Sequence, residues 1–484
     1  MSSFRLVKDS FNYGMGQVLP KIIGFLLIPL YTTYLSPADF GVFDLAITFS
    51  SFLLVVMRLS VPGAITRFYY DYKGEQEKNY ITSIYWFVII LSLFTGLLVL
   101  MIGYFFVDVL IPGLPYYPFV LLIVCSAFLN SGSDVQRRLL QVRQQSAYSA
   151  GLNIFTALVT IVLSITFVVF FKWNAVGLVL ATALASLVLF LQAQYYLRKD
   201  LFAKINIPMI RESLRFSLVL FPYHLYGQVS TLITKSILSA YGSLAAVGML
   251  AIATKFTQPF TIIISAFGAA FTPQYLSIRT RNHKEDFHKL SVLIKRIWFG
   301  SALLFVAFFL FVDLVIVVMT PQTYHSSIGL TKLLSLGFLP QMFYVIFSNE
   351  LFYRKENKIL LLINMIGISL SLLLSWLLVQ RYHETGAALA VIAPSFVGAV
   401  LMYWFTRKKI TFHPPWMFIF TCFGASLLII ATDMLLIQAV QQYYVLGVAK
   451  VIMISVFIGS CYRADREIFE VVFVYFKKMK RWIR

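Results

Sequence analysis

Charge is scarce in this sequence. Asp, Glu, Lys and Arg make up 12% of its 484 residues, and 60% are hydrophobic. A soluble domain carries roughly twice that charge, so an ordinary globular protein is excluded. Cysteine is scarcer still. Cys125, Cys422 and Cys461 stand far apart in sequence, imply no disulfide framework or metal site, and read as small apolar filler. The six His residues are dispersed, which leaves no cluster for an embedded metalloenzyme. No Walker A pattern and no zinc-ligand spacing occurs. Long polar stretches are missing as well, and a catalytic domain needs at least ~50 residues. The chain is therefore expected to be no enzyme and to use no cofactor or metal.

What is present is a succession of apolar runs, each near the ~20 residues that cross a hydrocarbon core of ~30 Å. Leu, Ile, Val and Phe are continuous in them, without the weak alternation of a membrane barrel. The expected fold is an all-α polytopic membrane protein with about fourteen transmembrane helices. The 40 Lys and Arg sort these spans by side. Thirty-two fall in alternate loops and both termini; only Lys172 and Arg381 lie on the other side. By the positive-inside rule both termini are expected to be cytoplasmic. The N-terminal MSSFRLVKDS is polar and no A-x-A-like cleavage site follows, so the first span is expected to stay. The net charge of +20 is spread over short loops, which argues for orientation and against nucleic acid as a partner.

Three matches at nearly constant offset suggest an internal repeat. Gly41 of Phe40-Gly41-Val42 corresponds to Gly248 of Val247-Gly248-Met249. Arg143 and Asn153 correspond to Arg354 and Asn364. Val176-Gly177-Leu178 corresponds to Thr385-Gly386-Ala387. Parallel repeats of this kind place a substrate between two lobes. The expected organisation is an N-lobe over 1–200 and a linker over 201–216. A C-lobe follows over 217–410, then two further spans over 411–462 and a basic amphipathic tail over 463–484. Spans seven and nine are expected over 217–240 and 292–319.

Six cations lie within spans: Lys21, Arg58, Lys235, Lys255, Lys332 and Lys450. Lys235, Lys332 and Lys450 are near outer ends and are expected to snorkel. Lys21, Arg58 and Lys255 lie at mid-depth or in the inner half, Lys21 and Lys255 about 15 Å in at 1.5 Å per residue. A cation there costs at least ~2.5–3.5 kcal/mol, so these three should meet water, a ligand, or an acid on another helix. Asp44 and Asp134 are the acids considered for that pairing, although Arg138 stands four residues from Asp134. Polar stripes accompany the cations: Gln17 on span one, Thr48 and Ser51 on span two, Tyr223, Ser230 and Thr234 on span seven, and Thr254, Gln258 and Thr261 on span eight. Helix-contact glue explains any one stripe; their recurrence on corresponding spans favours a polar lumen. Asp44, Asp134, Glu350 and Asp433 are candidate ion or proton sites.

The segment Gly24-Phe-Leu-Leu-Ile-Pro29-Leu-Tyr-Thr-Thr-Tyr-Leu35-Ser-Pro37-Ala-Asp-Phe40-Gly41 resembles the opening of Wzx-type oligosaccharide flippases. Pro62-Gly63-Ala64-Ile65-Thr66-Arg67 and Leu214-Arg215-Phe216-Ser217-Leu218-Val219-Leu220-Phe221-Pro222 are similar to later parts of that family. The resemblance covers the whole chain and implies the multidrug/oligosaccharidyl-lipid/polysaccharide exporter superfamily. It implies transfer of a polyprenyl-pyrophosphate-linked oligosaccharide, a cell-surface polysaccharide repeat unit, from the cytoplasmic to the outer leaflet by alternating access. Membrane lipids and the polymerase and chain-length proteins of the same pathway are the implied partners. Lys21, Arg58 and Lys255 fall on the spans where related peptidoglycan-precursor flippases carry cavity cations, and are the residues implied to bind pyrophosphate. Where many of these flippases have an acidic-basic pair on span seven, this chain reads Thr234-Lys235-Ser236. A cation-coupled multidrug exporter and an embedded polysaccharide polymerase are the competing expectations.

Overall fold

Apolar runs that meet no water can satisfy their backbone only internally, and helices do this within one segment. In the computed structural model, which describes residues 3–281, 284–410, 414–439 and 443–464, nearly every described residue is helical and none forms a strand. The helices are α1 (Ser3–Leu26, resumed as Ile28–Tyr34), α2 (Pro37–Arg58), α3 (Glu75–Leu110), α4 (Leu121–Val142), α5 (Ser146–Ile165), α6 (Asn174–Leu197) and α7 (Ile207–Tyr241). They continue as α8 (Leu244–Arg281), α9 (Lys284–Met319) and α10 (Ser327–Ser335, then Phe338–Tyr353). The run Asn357–Thr406 is 50 residues long, far beyond one membrane crossing, and it reverses at His383 (φ 45°, ψ −122°) into α11 (357–382) and α12 (384–406). α13 (Trp416–Ala439) and α14 (Tyr443–Ala464) complete the chain, a multi-pass membrane protein. The tail expected over 463–484 lies, from 465 on, outside the described residues.

Several helices overshoot the expected spans. α3, α7, α8 and α9 have 36, 35, 38 and 36 residues, or about 50–57 Å at 1.5 Å each, against a core of ~30 Å. The expected linker is thus mostly helix. α7 begins at Ile207 because the Asn206 side chain accepts from Met209 N (3.3 Å) and Pro208 sits in the first turn, where its missing N–H costs nothing. Asn206 N also donates to Ser83 Oγ at 2.7 Å, which fixes this corner on α3. Asn206→Ala should lower stability by about 1 kcal/mol, read as an earlier thermal transition of the detergent-purified protein.

The repeat is visible in local geometry. Ser36 Oγ accepts from Asp39 N (3.1 Å) while Asp39 Oδ2 accepts from Ser36 N (3.2 Å), a capping box that starts α2. Ser243, displaced by the same interval as Gly248 from Gly41, caps α8 by accepting from Ala246 N at 3.0 Å. Arg143 and Arg354 each close a helix. The next residues, Gln144 and Lys355, have φ of 56° and 59°, and the N–H groups of Gln145 and Glu356 reach back to Leu140 O and Leu351 O at 2.9 Å. These two turns have one hydrogen-bond pattern. Gly177 and Gly386 also share a reason: a Cβ would lie 3.0 Å from Phe167 Cβ and 2.4 Å from Leu378 O.

By packing, the chain forms two compact units. The first contains 1–256, 320–327 and 368–390; the second contains 257–319, 328–367 and 391–484. The repeat boundary and the packing boundary differ because α7 and the start of α8 pack within the first unit, α7 on α2 and α3. One end of the first unit is clasped by Arg143, which donates to Tyr69, Tyr196, Glu77 and Asp200. Burial works against that guanidinium's proton, but the two tyrosine oxygens and the Asp200 charge outweigh it, so its pKa is raised. In the second unit Cys422 and Cys461, far apart in sequence, meet as free buried thiols with Sγ atoms 3.5 Å apart.

Candidate functional site

The cations expected at depth, Lys21, Arg58 and Lys255, all belong to the first unit. Arg58, in the last turn of α2, donates through Nε to Leu54 O (2.9 Å) and places Nη1 2.8 Å from Asp134 Oδ2 on α4. Asp134 therefore pairs across helices rather than with Arg138, because α2 and α4 pack side by side. Arg137 lies within electrostatic reach of the same pair, and its Nε is buried without a hydrogen-bond partner. In sequence it reads as one more basic loop residue. Its spacing of three from Asp134 is the only signal that marks it.

A second group lies further along α2. Lys235 of α7 has Nζ 2.6 Å from Asp44 Oδ2 and donates to Thr48 Oγ1 at 2.8 Å. Lys235 thus holds an acid and a hydroxyl one turn apart on α2. Lys235 does not snorkel: burial beside a carboxylate on a neighbouring helix satisfies it instead. Lys255 is exposed on α8, within electrostatic reach of Asp44 and Lys235, and accepts no share of a carboxylate by direct contact. Lys21 is half-buried on α1 and forms no ion pair or hydrogen bond among the described residues. Arg58, Arg137, Lys235 and Lys255 face only Asp44 and Asp134 in these two groups, a surplus of at least two positive charges.

The polar stripes divide. Gln17, Tyr223, Thr254 and Thr261 are exposed, and Ser51 and Gln258 are half-buried. Ser230 and Thr234 are buried, and Thr234 bonds Ser375 of α11 at 2.6 Å. Thr48 is buried in the ion group. Thr48 and Thr234 also bond the previous turn, at Asp44 O and Ser230 O, as small hydroxyl side chains at helix contacts do.

The second unit holds the other two candidate acids. Glu350 is fully buried in α10 and saturated. Tyr275 Oη (2.7 Å) and Arg279 Nε (3.0 Å) donate to Oε2, while Arg279 Nη2 and Arg354 Nε (both 2.8 Å) donate to Oε1. Asp433 of α13 accepts from Lys332 Nζ at 2.9 Å, and Lys450 of α14 donates to Asp313 of α9 at 2.6 Å. Lys332 and Lys450, expected to reach the interface, are buried with acids; Asp313, their shared neighbour, carries no signal in the sequence beyond its place in an apolar run. The same unit has an apolar cavity of about 270 Å³ lined by Trp298, Pro340, Phe343, Phe396, Val400 and Phe420.

Known proteins share this fold. The lipid II flippase MurJ in an inward closed conformation superimposes with a TM-score of 0.74 at 14% identity, covering 93% of this chain and 98% of that one. An inward-facing multidrug resistance transporter of the MATE family, in the MOP superfamily, gives 0.63 at 16% identity over 82% and 97%. In sequence, an uncharacterized membrane protein of Methanocaldococcus jannaschii is 21% identical over 84% of this chain and 99% of its own length. At these identities the structural likeness establishes the fold, that of MOP-superfamily membrane transporters. Residues 6–274, more than half of the chain, match the model of one family, and the chain belongs to that family, described as polysaccharide biosynthesis protein.

Proposed function

We propose that the chain is a flippase for a polyprenyl-pyrophosphate-linked oligosaccharide, working from the cytoplasmic to the outer leaflet of a bacterial inner membrane. The observation that carries this reading is the surplus of positive charge among Arg58, Arg137, Lys235 and Lys255 over Asp44 and Asp134, with Lys21 on α1 bringing no acid of its own. Cations kept in a membrane without matching acids face a water-filled cavity or a mobile anion, and a pyrophosphate is a compact anion. Exposed Gln17, Tyr223 and Thr254 in the first unit offer hydroxyl and amide partners for sugars. The aromatic cavity of the second unit suits a polyprenyl chain. Family membership supports a place in polysaccharide synthesis, beside a polymerase and chain-length proteins. Solved MATE transporters are described in inward-facing and outward-facing conformations, which supports alternating access. The surplus charge is the wrong sign for a cationic drug.

Lys21→Ala, Arg58→Ala and Lys255→Ala are tested singly in a strain that lacks the gene, at matched expression. Each lost charge-assisted contact should weaken anion binding roughly tenfold or more, read as reduced surface polysaccharide. Lys21→Arg and Lys255→Arg should retain function. Arg58→Ala also strands Asp134, so Arg58→Lys is its companion. Normal polysaccharide in all three alanine variants would refute the reading.

A further inference from the structure

Four ionisable side chains of the second unit form an alternating chain that the anion site does not use. Asp433 from α13, Lys332 from α10, Asp313 from α9 and Lys450 from α14 follow one another, with N–O distances of 2.9, 3.9 and 2.6 Å. These are the charged groups that the packed helices present there among the described residues. Lys332 also lies over the Phe309 ring at 5.0 Å. Asp433, Lys332 and Lys450 are 1%, 8% and 7% exposed, whereas the Asp313 side chain is 26% exposed. Such a chain is a poor device for stability alone. Burying ions costs several kcal/mol each, and apolar side chains of similar volume usually hold helices as well or better.

The acids differ in how fully they are satisfied. Glu350 receives four donors, two on each oxygen. Asp433 receives one, on Oδ2; its Oδ1 is buried with no partner. A carboxylate so held has room for a hydrogen on its free oxygen. A metal cation is disfavoured at the same place, since two ammonium groups stand in the chain, and no metal-ligand group of acids, His and Cys occurs among the described residues.

We propose that Asp433 is a proton-binding site, entered from Asp313, and that its protonation hands Lys332 from Asp433 to Asp313. A proton from water forms an O–H bond on Oδ1, Asp433 becomes neutral, and Lys332 keeps its own proton. The Lys332 ammonium then has one charged acid in reach, Asp313, already 3.9 Å away. The ionic tie between α10 and α13 is released while that between α9 and α14 persists. Proton uptake thus changes how α13 is held, a step that a transport cycle can draw on. That use rests on the transporter reading, but the binding of the proton does not.

The experiment is infrared difference spectroscopy of the full-length protein in detergent, acid minus neutral, with protons as the only ligand. The wild type should gain a protonated-carboxyl band on acidification, and Asp433→Asn should lose it. Asp433→Glu should keep a shifted band. Lys332→Met removes the facing cation, so the neutral acid is favoured and the band's midpoint should rise by about one pH unit or more. Thermal melting checks that each variant is folded. A mere rivet would lower the melting temperature in Asp433→Asn and leave the band in place. An unchanged band in Asp433→Asn, or, if that variant does not fold, an unmoved midpoint in Lys332→Met, overturns the proposal. Neither result bears on the anion site, whose variants are read by polysaccharide.

Discussion

Gly41→Ala should abolish function and lower stability by at least ~2 kcal/mol, more than a typical change of one methyl group. The reason is a backbone crossing. An added Cβ at Gly41 would lie 1.9 Å from Leu244 O and 3.1 Å from Gly248 N, and one at Gly248 would lie 1.9 Å from Pro37 O and 3.1 Å from Gly41 N. The contact is its own mirror under the repeat: each glycine meets the carbonyl four residues before the other. No side chain stands in the way to rotate aside, so α2 and α8 would have to separate by more than an ångström. Their caps at Ser36 and Ser243 sit within one and a half turns of the contact and resist that shift. Thermal melting with surface polysaccharide checks the result. The double variant Gly41→Ala, Gly248→Ala should cost much less than the two single effects added, because the first substitution already opens the shared contact. Additive costs would show that the glycines act separately.

The glycine pair also shows what the sequence made legible. Gly41 and Gly248 appeared as equivalent positions at a fixed interval, and periodicity could take them no further. That they touch is a property of the fold. The helices themselves were legible because a membrane permits so few backbone solutions. Their ends were less so, since α3, α7, α8 and α9 run past the apolar core into polar sequence, where hydropathy has no signal. Counting residues gave an expected depth for Lys21, Arg58 and Lys255. It gave no pairing. Arg58 with Asp134, Lys235 with Asp44 and Lys332 with Asp433 are separated by many residues and joined only by helix packing. Lys235, Lys332 and Lys450 lay near span ends, where snorkelling is ordinarily available. Each found an acid inside instead, so the distance to the interface did not decide their fate. The stripe on α7 was ambiguous for a related reason: Ser230 and Thr234 suit water and helix contacts equally well, and the Ser375 hydroxyl across from Thr234 is a property of the fold.

Glu350→Gln should destabilise the second unit by about 3–5 kcal/mol, the cost of stranding a buried charge. Arg279 is 3% exposed and gives both its Nε and Nη2 to this carboxylate. A neutral amide would take from the guanidinium the carboxylate that its Nε and Nη2 address and would face it with donor hydrogens. Arg354 suffers less, since its side chain is 33% exposed and also donates to Lys409 O. Tyr275 can turn to the amide oxygen. The measurement is the thermal transition of purified Glu350→Gln beside Arg279→Met and the double variant Glu350→Met, Arg279→Met. Either single change should be severe. The double should recover most of the loss, because apolar side chains replace a buried pair at little cost. If Glu350 instead carried a coupling proton, Glu350→Gln would mimic the protonated acid, fold normally and lose only gradient-driven transport. Saturation by four donors argues for the first outcome. It also separates Glu350 from Asp433, since an acid can give up a cation during a cycle only if the lost contact is a small part of what holds it.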